Sequence, residues 1–118
     1  MQFLMTFNEP PADFAKRENP DASGPYWAAW TAYMGSIAQS GIMVSAAGLH
    51  PPHTASTVRM TDGARAVHDG PFADTREQLG GFCLIEVENL DAALDWAAKA
   101  PSAIAGSVEV RPVLPAPE

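Results

Sequence analysis

One cysteine in 118 residues leaves no partner for an internal disulfide, so a disulfide-stapled scaffold is excluded and Cys83 must be explained as a free thiol. Positive charge is scarce as well. Seven Lys and Arg stand against 14 Asp and Glu, a net charge of −7, and a surface of that sign repels phosphate backbones and argues against direct nucleic-acid binding. No stretch approaches the roughly 18 consecutive apolar residues that cross a bilayer. The start, Met1 to Met5, lacks a basic n-region and runs into Asn8-Glu9-Pro10 too soon for a signal peptide, which makes a cytoplasmic address the expectation. There is no glycine-rich phosphate loop, no GxSxG and no P-loop, because Gly80-Gly81 stands alone before a strand; no cofactor is expected.

What the chain does have is the apolar content of one globular domain, 47% hydrophobic, interrupted by 11 prolines and 9 glycines that end segments before they grow long. A single domain over residues 1–113 with a flexible tail over 114–118 is expected. A chain of this length has room for one core with little margin, so association with a second copy is a natural supplement. The acidity is lopsided: residues 1–59 carry 4 acids and 3 bases, residues 60–118 carry 10 acids and 4 bases.

Phe3 to Phe7 reads as a buried first strand stopped by Pro10-Pro11, and residues 8–22 read as a polar loop. Ser23-Gly24-Pro25 starts a helix, with Ser23 as N-cap, and Trp27, Trp30, Tyr33, Met34 and Ile37 recur at helical spacing until Gly41. Ile42 to Leu49 is a second strand. Asp62-Gly63, flanked by Thr57–Met60 and Arg65–His68, predicts a tight hairpin. Ala73 to Leu79 suggests about two turns of helix. Phe82 to Val87 is the clearest strand, Asn89 caps a second helix over Leu90–Lys99 with Leu90, Ala93, Leu94 and Ala97 on one face, and Val108–Arg111 alternates as a last strand. The order β, α, β, hairpin, β, α, β is an α+β, ferredoxin-like split βαβ plan with an inserted hairpin, both long helices covering one face of an antiparallel sheet. Apolar side chains on both faces of the Phe82–Val87 strand predict a homodimer whose sheets pack face to face.

The block Asp69-Gly70-Pro71-Phe72-Ala73-Asp74-Thr75-Arg76-Glu77-Gln78-Leu79-Gly80-Gly81-Phe82 resembles the signature of the DGPF branch of the YCII-related (YciI-like) proteins. Thr57-Val58-Arg59, Ile85-Glu86-Val87, Leu90–Ala97, Pro101 and Val108–Pro112 fall in the order that family shows. The resemblance implies a dimeric α+β barrel of ferredoxin-like subunits. It also implies two classes of role: a small enzyme acting on an aromatic catabolite, or a partner of an extracytoplasmic-function sigma factor. The family's His/Asp pair does not carry over intact, since the first helix bears Trp27, Trp30 and Tyr33 where YciI proteins proper place a histidine.

Asp69, at a strand end before Gly70-Pro71, is a candidate general base, against the alternative that it only stabilises its own turn. His50 is the second catalytic candidate, standing in for the absent helix histidine. Trp30 and Phe72 are candidate walls for a small aromatic or carboxylated ligand, Phe72 otherwise being a core or interface anchor. Arg59 is either a solvated edge arginine or the cation that grips a carboxylate, and Glu77 either touches ligand or pairs with Arg59 or Arg111. His50-x-x-His53 has a metal-like spacing, but no third ligand is fixed by spacing, and no metal is expected. Cys83, inside a buried strand, reads as an inert thiol, and Glu86 is an odd acid on the strand face that carries Phe82 and Leu84.

Overall fold

The computed structural model describes residues 1–116; Pro117 and Glu118, the end of the expected flexible tail, lie outside the described residues. Within them, six strands and four helices follow one another as β1 (Gln2–Glu9), α1 (Pro11–Lys16), α2 (Ser23–Gln39), β2 (Met43–Gly48), β3 (Ser56–Thr61), β4 (Ala64–Asp69), β5 (Gln78–Glu86), α3 (Leu90–Ala98), α4 (Ser102–Ala105) and β6 (Ser107–Pro112), with a 3-10 turn at Pro52–Thr54. The four-stranded sheet has the order β2-β5-β1-β6 and every pairing is antiparallel. β3 and β4 form a separate two-stranded arm. This is the ferredoxin-like plan with a hairpin inserted before its third core strand.

Strict alternation drives β1. Phe3, Met5, Phe7 and Glu9 are buried toward the helices, while Leu4, Thr6 and Asn8 point to the other face and stay half-buried. Cys83 and Ile85 of β5 join them, and Tyr33 and Ile37 of α2 with Ala93 and Ala97 of α3 close the core from above. Phe7 meets Trp30 and Tyr33 edge to face at 4.9 and 5.9 Å, and the Tyr33 hydroxyl donates to the Trp96 carbonyl at 2.9 Å, tying the two long helices together. The opposite sheet face, with Leu4, Phe82 and Leu84, is covered by no element among the described residues.

Several local expectations are met by explicit chemistry. Asp62 and Gly63 both have positive φ, 52° and 79°, as a hairpin turn matching the twist of its strands requires. The Asn89 side chain accepts from the Ala92 amide at 2.9 Å, capping α3.

Others are corrected. Residues 11–16, expected in a loop, form α1, with Pro11 in its first turn and Phe14 as its buried anchor; six residues with one anchor are too short to show a period. Ser23 is the first residue of α2 and makes no side-chain cap. Ala73 to Leu79 is not helical: residues 71–77 are irregular, held by the Gln78 amide donating to the carbonyls of Ala73 and Thr75, and β5 has begun by Gln78. On α3, Ala93 and Ala97 are buried whereas Leu90 and Leu94 remain 47% and 46% exposed, because the small residues let the helix sit close to the sheet. Among the described residues, no helix is long and apolar enough to cross a membrane.

Candidate functional site

β1 and β5 slip register between Phe7 and Asn8, leaving Gly80 as the unpaired extra residue. A Cβ on Gly80 would overlap Glu9 Oε2, so only glycine admits the Glu9 carboxylate here. Glu9 is 1% exposed and fully committed: Arg17 Nη2 donates to Oε2 at 3.0 Å and the Tyr26 hydroxyl donates to Oε1 at 2.5 Å. Arg17 Nε donates in turn to the Tyr26 oxygen at 3.0 Å. Its guanidinium lies against the rings of Phe14, Trp27 and Tyr26, at 4.9, 5.1 and 5.6 Å from their centroids. Burial first, and the bond to Glu9 second, push the Tyr26 phenol up to about 12, so it remains a proton donor at neutral pH.

Past this cluster the chain opens a wide cleft of about 810 Å³ between the corner after β2, the base of the hairpin and the segment before β5. His50, Thr57, Phe72, Glu77 and Asn8 are among the residues lining it. The turn after β4 is stapled to the arm, with the Gly70 amide donating to the Ala55 carbonyl at 2.6 Å and Thr57 Oγ1 to the Gly70 carbonyl at 2.9 Å. Phe72 is 74% exposed, outside any core of the single chain, with the Arg59 guanidinium 5.0 Å from its ring centroid. Glu77 pairs with neither Arg59 nor Arg111; its Oε1 accepts from Ser107 Oγ at 2.6 Å, and Arg111 pairs with Glu109 beside it.

The sequence candidates therefore separate. His50, Phe72 and Glu77 share the cleft, with Arg59 behind Phe72. Asp69 ends β4 opposite Ser56, is exposed, and is not among the residues lining the cleft. Trp30 lies on the helix side, lining one hollow of about 420 Å³ with Glu9 and Tyr26 and another of about 540 Å³ with Phe7, Trp27 and Met34. Cys83 is fully buried and its thiol is pushed up to about 11 by that burial, which makes it inert. Glu86 is exposed and meets the Met1 amino group at 3.1 Å, which explains an acid on that strand face. Among the described residues no three His, Cys, Asp or Glu converge as a metal-ligand set.

Glu9, Arg17 and Tyr26 are absent from the sequence candidates. One signal does point to them: carrying the alternation of Phe3, Met5 and Phe7 one step further turns Glu9 inward, and a buried carboxylate requires a cation and hydrogen bonds.

Fold and cleft together define a small α+β protein with a ligand-sized, mixed-polarity recess at the end of its sheet. The chain belongs to the YCII-related domain family, whose model matches residues 1–117. It is 46% identical over 77 residues to an uncharacterized protein of Rhizobium meliloti (strain 1021), a match covering 64% of this chain and 62% of that protein. Among solved structures it is similar to the 5-chloro-2-hydroxyhydroquinone dehydrochlorinase TftG from Burkholderia phenoliruptrix AC1100 in complex with 2,5-dihydroxybenzoquinone. That likeness has a TM-score of 0.55 and 18% identity, and covers 97% of this chain and 94% of the other.

Proposed function

We propose that this chain is an enzyme-like, cofactor-independent member of the family that takes a small aromatic or carboxylated ligand in the cleft beside the Asp69–Phe72 turn. The observation that carries the proposal is the cleft itself. Its volume of about 810 Å³ suits a small molecule, and its walls combine an aromatic ring, Phe72, with an imidazole, a hydroxyl and a carboxylate from His50, Thr57 and Glu77. In this reading Phe72 stacks on the ring of the ligand, His50 takes or gives a proton, Arg59 meets a carboxylate at the rim, and Glu77 orients the floor through Ser107. Asp69 enters only as a rim acid, and Trp30 has no part in this cleft. The same reading assigns the block around Asp69–Phe72 to the DGPF branch, and nothing among the described residues favours contact with a sigma factor over a small ligand.

The related fold of TftG, solved with a hydroxylated quinone, makes such planar rings the natural first probes. Titration with 2,5-dihydroxybenzoquinone and with hydroxybenzoates, followed by calorimetry, is expected to show saturable binding that His50→Ala and Phe72→Ala each weaken about tenfold. Unchanged affinity in both variants, or no binding by any planar ring, refutes the assignment of the cleft.

The homodimer belongs to the same proposal. Leu4, Phe82 and Leu84 on the uncovered sheet face, with the exposed Val58, Met60 and Val67 on the arm, form apolar surface that a second copy would bury. Light scattering at micromolar concentration is expected to return a dimer, and Leu84→Arg a monomer; a monomeric wild type overturns this.

A further inference from the structure

Strand pairing of β2 ends at Gly48, yet the cleft depends on Leu49 and His50 just beyond it, since His50 lines the cleft on one side and a hollow of about 350 Å³ with Arg17, Glu18 and Trp27 on the other. Two hydrogen bonds hold this corner. The Leu49 amide donates to the Gly80 carbonyl at 2.9 Å, and Arg17 Nη1 donates to the Leu49 carbonyl at 2.5 Å. That carbonyl shares one rigid peptide plane with the amide nitrogen of His50, so a donor fixed on Leu49 oxygen fixes the backbone entering His50. On the far side, Pro51 restricts His50 to extended conformations. The residue is thus held from both directions, once by the guanidinium and once by a ring.

We infer that Arg17 is the positioning residue of the cleft, holding His50 toward the ligand by clamping the Leu49–His50 peptide; the inference rests on the proposed ligand site. The guanidinium suits this work because its donors leave in fixed directions: Nε to Tyr26, Nη1 to Leu49, and Nη2 to Glu9 with a longer bond to the Gly80 carbonyl at 3.4 Å. Glu9 and Tyr26 orient the fork from behind, and the rings of Phe14 and Trp27 hold its plane. The same arginine touches Gly80 and Leu49, so it ties the start of β5 to the corner after β2, one residue past the last paired position, Gly48. A lysine at position 17 would keep a cation beside Glu9, but its three donors radiate from one nitrogen on a flexible stem and cannot reproduce the fixed fork that reaches Tyr26, Leu49 and Glu9 from three separate nitrogens.

The test is Arg17→Lys followed by amide hydrogen exchange and ligand titration of the full chain. Exchange of the Leu49 amide is expected to accelerate about tenfold, while amides of the β1–β5 core such as Met5 and Cys83 stay within about twofold of wild type. Affinity for 2,5-dihydroxybenzoquinone is expected to fall about tenfold, and the same substitution in a His50→Ala background to cost nothing further, because an effect routed through His50 disappears with it. Unchanged Leu49 exchange, or a loss of affinity that adds in full to that of His50→Ala, overturns the inference. Should Arg17→Lys fail to fold, Tyr26→Phe replaces it. That change frees one guanidinium donor and leaves the ion pair in place, and faster Leu49 exchange with an unchanged core supports the clamp while unchanged exchange refutes it. If the wild type binds no quinone, the ligand site falls, and the exchange result still decides whether Arg17 holds the corner.

Discussion

Replacing Arg17 by methionine should cost this protein a large part of its stability. Glu9 is 1% exposed, and its carboxylate is compensated by one cation at 3.0 Å and one hydroxyl at 2.5 Å. Methionine retains much of the apolar stem but gives up the guanidinium that lies against Phe14 and Trp27, and the carboxylate keeps only Tyr26. Breaking a buried pair by removing one partner costs about 3–5 kcal/mol, against a total of about 5–15 kcal/mol for a domain. Urea unfolding followed by tryptophan fluorescence, at one fixed protein concentration, measures it. With a slope of about 2 kcal/mol/M the midpoint should fall by about 1.5–2.5 M. The control is Glu9→Gln in the same chain, which removes the stranded charge and should return about half of the loss. A loss below about 1 kcal/mol for Arg17→Met, or a double variant no more stable than the single one, refutes the argument that charge compensation at Glu9 holds this end of the sheet.

Two further outcomes rest on burial. Burial raises the phenols of Tyr26, to about 12, and of Tyr33, so the folded state holds these protons more tightly than the unfolded one; stability should be intact below pH 10 and decline as pH climbs toward 12. Absorbance titration at alkaline pH should show both ionising only together with unfolding, and a reversible native titration near the ordinary value would contradict it. Cys83, buried and raised to about 11, should resist thiol reagents at pH 8 in the native protein and react once urea unfolds the chain; rapid native labelling would place it at the surface.

The elements readable in advance are those whose signals are local. Asp62-Gly63 makes its turn because two adjacent residues tolerate positive φ, and Asn89 caps α3 through a bond to a residue three positions on. β1 and β5 announce themselves by apolar content, and the order of elements then restricts the topology to a split βαβ sheet. α1 and the segment 71–77 escape local reading for the converse reason. The first is a helix too short to show a period, anchored by tertiary contact of Phe14, and the second carries helix-forming residues that side-chain bonds from Gln78 hold in an irregular path.

The site divides along the same line. His50, Phe72 and Glu77 are legible as candidates because their residue types and turn context suggest chemistry, and the fold brings them to one cleft. Trp30 is legible as an aromatic wall, but it lines two other hollows and not that cleft. Glu9, Arg17 and Tyr26 are separated by 8 and 9 residues along the chain and joined by three hydrogen bonds in space, so no spacing rule could group them. Local signals in the chain were enough to read an acidic α+β member of this family, to order its six strands and two long helices, and to pick out His50, Phe72 and Glu77 as candidates. Only the tertiary structure decided which of them meet, because a buried carboxylate must find its cation wherever the packed chain places one, and here the glycine in the β5 bulge makes the room for that meeting.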